Sequence, residues 1–327
     1  MNDTEFATPV EELRLRAMGS EGHLIVVGGP DGLAARAAER IEELESRWSR
    51  FRPDSEVCEL TRRSGEWVDV SPDTVRLVER SIDAWYLTGA SFDPTVLGAV
   101  VAAGYDRTMD EQRRMAPSSA VGATPARLPL VSLVGCTDIA IDGSRVRMPA
   151  GTGFDAGGIG KGLAADIVVE ELMAAGAGGV CVNLGGDLRV EGVGPTGDSW
   201  TVAIEHPWQD RPIALVGLRS GAVATSTTLL RRWATSDGGA HHLIDPQTGM
   251  PSTTDVTLAS VVCSEAWRAE VLAKAVLLRG MERAFDLLGP DVAEALAVGS
   301  DGVVRPTDGL RAFTGDTLAA RVTVPVG

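Results

Sequence analysis

Hydrophobic positions in this chain fall into two periods, and the period changes several times along the sequence. Residues 22–28, GHLIVVG, are a short apolar run closed by glycine and read as a β-strand. Beyond Pro30 and Asp31, the residues Ala37, Ile41, Leu44, Trp48 and Phe51 recur at alternating spacings of four and three, which sets them on one helix face. Ser71 followed by Pro72 predicts a second helix start. A serine hydroxyl accepts from first-turn amides, and proline fits a position whose N–H has no helical partner. Val75, Val78, Ile82 and Trp85 then lie on its buried side, and it ends near Gly89.

Residues 116–129, APSSAVGATPARLP, combine small residues with two breakers and are expected to form an exposed loop rather than a domain boundary. DIAIDGSRVRMP at 138–149 alternates about an Asp-Gly turn and predicts a hairpin. It leads into the glycine-rich stretch GTGFDAGGIGKGLAAD. GVCVNLGGDLRVEG, SWTVAIEH and PIALVGL read as successive strands, SEAWRAEVLAKAVLLRG and MERAFDLLG as two helices, and residues 293–305 as a last hairpin. Strands in runs and helices in groups, without βαβ alternation, predict an α+β fold built mainly on antiparallel sheet with packed helices.

The composition, 44% hydrophobic and 23% charged over 327 residues, suits a globular protein of one large domain or two intimately packed subdomains. No apolar run reaches the roughly 20 residues needed to span a bilayer. MNDTEFATPVEELRLR lacks a basic segment followed by an apolar one, so a cytoplasmic location is expected. Cys58, Cys136, Cys181 and Cys263 show no CxxC spacing, which predicts small apolar packing groups and neither a zinc site nor a disulfide framework. A formal charge of −15 argues against nonspecific binding to nucleic acid or to an anionic membrane. Any phosphate ligand must find positive charge locally.

Four segments carry candidate chemistry. In DAGGIGKGLAAD, Gly157, Gly158, Gly160 and Gly162 allow close backbone approach and free amides, and Lys161 adds a compact charge at a helix start. This suits a phosphate site, or a strand-to-helix turn that needs glycine for geometry alone. It is no Walker A loop, because Asp155 stands where the first glycine belongs and Gly162 where Ser or Thr belongs. Gly151, Gly153 and Ala156 match only the loose GxGxxA form. In HHLIDPQTGMP, His241 and His242 precede a turn at Asp245–Gly249, so an imidazole at a strand end could serve as acid or base, or simply bond to the turn. Glu270 and Lys274 stand four apart on one helix face, by default a surface ion pair. Asp93-Pro94 closes a helix and by itself is a turn.

Taken in order, these segments resemble the ApbE family of FAD:protein FMN transferases from about residue 17 to about residue 288. Ala17-Met18-Gly19-Ser20 is similar to that family's Met-Gly-Thr, SRFRPDSEVCEL to its Ser-x-Tyr/Phe-x-x-x-Ser-Glu segment, and Ser91 to Val96 to its Phe-Asp-x-Thr-Val element. Asp155 to Gly162 resembles its Asp-x-Gly-x-x-x-Lys-Gly loop, Asn183 to Asp187 its Asn-x-Gly-Gly-Asp/Asn turn, and Ala224-Thr225-Ser226 its Thr-Ser-Gly turn, altered at Thr227. His242 to Pro251 matches its His-x-Ile-Asp-Pro-x-Thr-Gly-x-Pro signature almost letter for letter.

The resemblance implies an FAD site lined by Met18, Phe51, Ser91, Phe92, Asp93, Asp155, Lys161 and Ile244, with His242, Asp155 and Lys161 as catalytic candidates. FMN would pass to a Thr or Ser hydroxyl of a partner flavoprotein. It also implies Mg2+ on an Ala-Asp-x-x-x-Thr helix together with backbone oxygens, which points to Gly158, Glu270 and Ala273. Here Lys274 stands in the threonine position, and an ammonium has no lone pair to give a metal. Three outcomes stay open: Lys274 replaces the metal with Glu270 positioning it, Mg2+ persists on Glu270, a backbone oxygen and water, or catalysis is lost and the chain only binds FAD. FAD pyrophosphatase chemistry, with water as acceptor, would use the same site.

Overall fold

The computed structural model describes residues 8–108, 135–230, 232–235, 238–289 and 292–322. The loop expected at 116–129 lies outside them. Strands β1 (Val10–Ala17) and β2 (Ser20–Val27) form an opening hairpin. The sequence reading omits β1, although its alternation turns Leu13, Leu15 and Ala17 inward. Helix α1 (Leu33–Trp48) follows, and Glu11 of β1 accepts from its first amides at Gly32 (2.6 Å) and Ala34 (2.8 Å). Ser49 turns extended and ends the helix, so Phe51 lies beyond the face expected for it.

Helix α2 (Glu56–Arg62) and strand β3 (Trp67–Asp69) lead to α3 (Pro72–Leu87), where the Ser71 hydroxyl accepts from Thr74 N–H as expected. The buried face of α3 is offset from the prediction: Thr74, Leu77, Val78, Ser81 and Ala84 are deepest, while Val75, Ile82 and Trp85 flank it half-buried. After α4 (Leu97–Ala102), the predicted hairpin forms as β4 (Ala140–Asp142) and β5 (Arg145–Arg147), with β3 added on its edge.

Helix α5 (Gly160–Ala174) precedes β6 (Gly179–Leu184) and β7 (Asp187–Gly192). Strands β8 (Trp200–Ile204) and β9 (Ala214–Leu218) pair with each other, and β10 (Gly221–Thr227) returns to the main sheet. Short hairpins follow as β11 (Arg232–Thr235) with β12 (Gly238–His241) and β13 (Ile244–Asp245) with β14 (Met250–Pro251). Strand β15 (Val256–Cys263), helix α6 (Ala266–Leu278), the single turn α7 (Gly280–Arg283), β16 (Glu294–Gly299) and β17 (Val304–Pro306) follow. Two expectations are corrected here. MERAFDLLG is helical only through Arg283, and Ala224-Thr225-Ser226 lies inside β10, paired along β15, rather than in a turn.

The main sheet runs β1-β2-β6-β7-β10-β15-β16-β17, with every neighbouring pair antiparallel, as the α+β reading predicts. Alternation splits its side chains between two cores. Val180, Val182, Ala222, Ala224, Ala259 and Val261 face α1, α5 and α6. Cys181, Val190, Val223, Val262, Leu296 and Val298 face the β8–β9 pair. Alanines on the helical side let α6 lie close to the sheet. All four cysteines are free, three of them buried and Cys58 half-buried. No helix among the described residues is long and apolar enough to cross a membrane.

Candidate functional site

The glycine-rich stretch is held by its neighbours before it becomes helix. Asp155 N–H donates to Pro94 O (2.8 Å), and Val96 bridges Gly153, so residues 91–96 run beside 153–155. The Asp155 carboxylate accepts from Gly157 N–H (2.8 Å) and turns the chain into α5. Gly158 is required by space: a Cβ there would lie 2.7 Å from the Phe92 ring. Among the described residues, two non-glycines adopt left-handed backbone, Met18 (φ 51°) and Ala90 (φ 61°), and each adjoins this region. Such conformations persist only where surroundings hold them. For Met18 the hold includes its N–H on Glu45 (2.8 Å).

The first turns of α5 and α6 cross in near contact. A Cβ on Gly162 would lie 2.4 Å from Ala266 O, so only glycine permits the crossing. It lets Gly162 N–H donate to Glu270 Oε2 (2.8 Å). One turn on, Asp166 accepts from Ala266 and Trp267 N–H (2.8 and 2.9 Å) and caps α6 across the interface. Burial pushes the Asp166 carboxyl up to about 7, against the pull of those two amides and of Arg189.

Glu270 is fully buried at this crossing, not part of a surface pair. Its Oε1 meets Lys161 Nζ at 3.2 Å and Lys274 Nζ at 3.1 Å, and Lys161 also pairs with Asp187 from β7. Burial alone would raise the Glu270 carboxyl, but Lys161, Lys274 and the Gly162 amide outweigh it and hold the group below the usual carboxylate range. The chain contains only two lysines, and both converge on this one oxygen. That scarcity is legible in the sequence, whereas the helical spacing pairs Lys274 only with Glu270.

A cavity of about 550 Å³ opens above this cluster. It is lined by Met18, Phe51, Ser91, Phe92, Asp93, Asp155, Lys161, His242 and Ile244, which gathers every predicted binding and catalytic position in one place. Gly158 and Lys274 line it too, whereas Glu270 and Ala273 do not; Ala273 is buried in the core. His241 faces inward, its Nε2 3.0 Å from Ser252 O and its Nδ1 accepting from Leu243 N–H, so it secures the turn and leaves His242 at the cavity. The turn itself closes through Gly249 N–H on Asp245 O (2.8 Å).

Sequence reasoning missed one element of the wall. The Arg50 guanidinium lies 4.2 Å from the Phe51 ring centroid and 4.5 Å from that of Tyr105, and it donates to Tyr105 O (2.8 Å). Arg50 sits in the segment that supplied Phe51, but its stacking partner is remote in sequence and no local pattern announces it.

The donor set does not suit a divalent cation. Both Glu270 oxygens are engaged, two ammonium groups stand within hydrogen-bond distance of one of them, and a protonated Lys274 offers no lone pair. No three His, Cys, Asp or Glu side chains converge as a metal site among the described residues.

Comparison with known proteins agrees with this geometry. The model of the ApbE family matches residues 18–297. The FAD:protein FMN transferase of Treponema pallidum is 30% identical over 288 residues, covering 83% of this chain and 78% of the relative. That of Vibrio cholerae is 27% identical over 286 residues, covering 85% and 81%. In fold, the chain is similar to the ApbE protein of Thermotoga maritima (TM-score 0.81, 24% identity, 94% and 100% coverage) and to the flavinyl transferase ApbE of Pseudomonas stutzeri (TM-score 0.79, 24% identity, 96% and 99%). With a family match spanning both the glycine-rich loop and the His242 turn, the chain belongs to the ApbE family.

Proposed function

We propose that this chain is an FAD:protein FMN transferase that works in the cavity above Glu270, taking FAD as substrate and a Thr or Ser hydroxyl of a partner protein as acceptor. The observation that carries this reading is the convergence of nine positions from separate segments of the chain, from Met18 to Ile244, on one cavity of about 550 Å³. That volume lies within the roughly 300–1,000 Å³ usual for small-molecule sites. Phe51 and Tyr105, edge to face with the Arg50 guanidinium over both rings, offer aromatic and cationic surface for a flavin or adenine ring.

In the step we envisage, the acceptor oxygen attacks the phosphorus on the FMN side of the pyrophosphate. A new P–O bond forms as the bond to the bridging oxygen breaks, AMP leaves with that oxygen, and the hydroxyl proton passes to the His242 imidazole. Negative charge grows on the departing AMP, so fixed cations beside the pyrophosphate stabilise this transition state more than the bound substrate. Lys161 is one such cation, held by Asp187 and Glu270. Asp155 shapes the loop that brings the Gly157 and Gly158 backbone to the ligand.

The test is AMP release from FAD by the purified chain, with in-gel flavin fluorescence on an acceptor domain bearing a Thr or Ser flavinylation site. AMP with acceptor-bound flavin is expected. Free FMN without acceptor would replace transfer by hydrolysis, and bound FAD without AMP would leave a binding protein.

A further inference from the structure

We infer that Lys274 and Lys161 together supply the charge that the FAD pyrophosphate needs, so that this chain binds and cleaves FAD without a divalent cation. This rests on the proposed function. Both ammonium groups line the cavity, with side chains 13% and 14% exposed, while the carboxylates that hold them lie behind at 0% and 3%. A ligand at this end of the cavity therefore meets the two ammonium groups before the carboxylates that hold them, although the buried quartet of Lys161, Lys274, Glu270 and Asp187 is formally neutral. Glu270 acts as a positioning residue: it touches both lysines and not the cavity.

The choice of residue supports the same reading. Of thirty basic residues in the chain, twenty-eight are arginine, and the two lysines stand at this one place. Arginine fixes a planar fork, whereas an ammonium is a compact charge that can reach several phosphate oxygens from one point. Gly158 stands beside the Lys274 arm, and it is the Phe92 ring, 2.7 Å from where a Cβ would lie, that requires glycine there. A cation ligated by Glu270 would first have to displace two ammonium groups from the same oxygen. The chemistry is unchanged: the P–O bond to AMP breaks as the bond to the acceptor oxygen forms, with the lysines in place of a metal as the counter-charge.

The experiment uses the whole chain labelled with [ε-13C]lysine, which gives two side-chain NMR signals. Mg2+ alone is expected to move neither, and FAD in EDTA to move both. FAD affinity and AMP release should agree in EDTA and in millimolar Mg2+ within about twofold. Lys274→Met should weaken FAD binding about tenfold or more, as expected for a lost charge-assisted hydrogen bond, with its melting temperature recorded alongside. AMP release that requires Mg2+, lysine signals that respond to Mg2+ alone, or FAD affinity unchanged in folded Lys274→Met would each overturn the inference and leave the transferase reading standing. FAD that binds under neither condition would overturn the transferase reading, and the inference with it.

Discussion

The two faces of the main sheet both bury apolar side chains but do opposite things with charge. Against β8 and β9 the filling is Val190, Trp200, Ile204, Val216, Leu296 and Val298, an apolar core with no buried carboxylate among the described residues. Under α5 and α6 the same sheet carries Asp187 and Arg189, and with Asp166 and Glu270 it holds every buried carboxylate found among the described residues. Removing charges from water costs several kcal/mol per ion, so a fold driven by stability alone would keep both faces like the first. On the helical face those carboxylates hold Lys161, Lys274 and Arg189 in place, the two lysines at the cavity.

The sharpest way to break this contrast is Glu270→Gln. It leaves Lys161 and Lys274 facing each other without their shared anion, and loss of one partner from a buried pair costs about 3–5 kcal/mol. We expect unfolding in urea at lower concentration together with loss of FAD binding. Ile204→Ala, on the apolar face, should cost about 2–5 kcal/mol through its cavity, yet leave FAD affinity as in wild type. Equal losses of affinity in the two variants would show that the division between faces is not functional.

Gly162→Ala should act next most strongly. Its Cβ would collide with Ala266 backbone rather than with a flexible side chain, an overpacking cost of about 1–3 kcal/mol, and the shift would loosen Gly162 N–H from Glu270. Gly197→Ala meets nothing within 4 Å and serves as the control. Calorimetric melting that fails to separate the two would sink the close-crossing account.

The smallest effect is a slope. Asp166 has its carboxyl raised from the ordinary 3.8 to about 7 in the fold. The folded state then binds more protons than the unfolded one between those values, so this group's contribution is full below the ordinary value and declines as pH rises through about 7. Asp166→Asn should lower stability throughout, because Asn caps two amides less well, and should remove that decline. Parallel stability profiles for variant and wild type across the window would contradict it.

Much of this was legible in the sequence where periodicity or a local motif carried it. Ser71-Pro72 announced its helix, the Asp-Gly at 142–143 its hairpin, and Asp155 to Gly162 together with His242 to Pro251 the walls of the cavity. What stayed hidden depends on distant partners. Phe51 keeps the spacing of α1 but falls past its end, where it stacks on Arg50 and faces the cavity. Glu270 and Lys274 at four apart look like an exposed pair until α5 is laid across them. β10 and β15 lie beside one another only in the assembled sheet, so a stretch similar to a family turn, Ala224 to Ser226, gave no sign of being a strand.

The caps of α1 and α6 bear on how the chain comes together in time. Glu11 closes α1 from 21 residues away, a loop that forms early in synthesis, but Asp166 closes α6 from 100 residues away. Long loops cost entropy before their contacts repay it. A nascent chain that has emerged only as far as β15 holds Asp166 without the amides it caps and Lys161 without Glu270. The charge cluster is thus completed only once α6 has been made, so a molecule stopped at β15 carries six of the eight strands of the main sheet and the Lys161–Asp187 pair, but neither Glu270 nor Lys274.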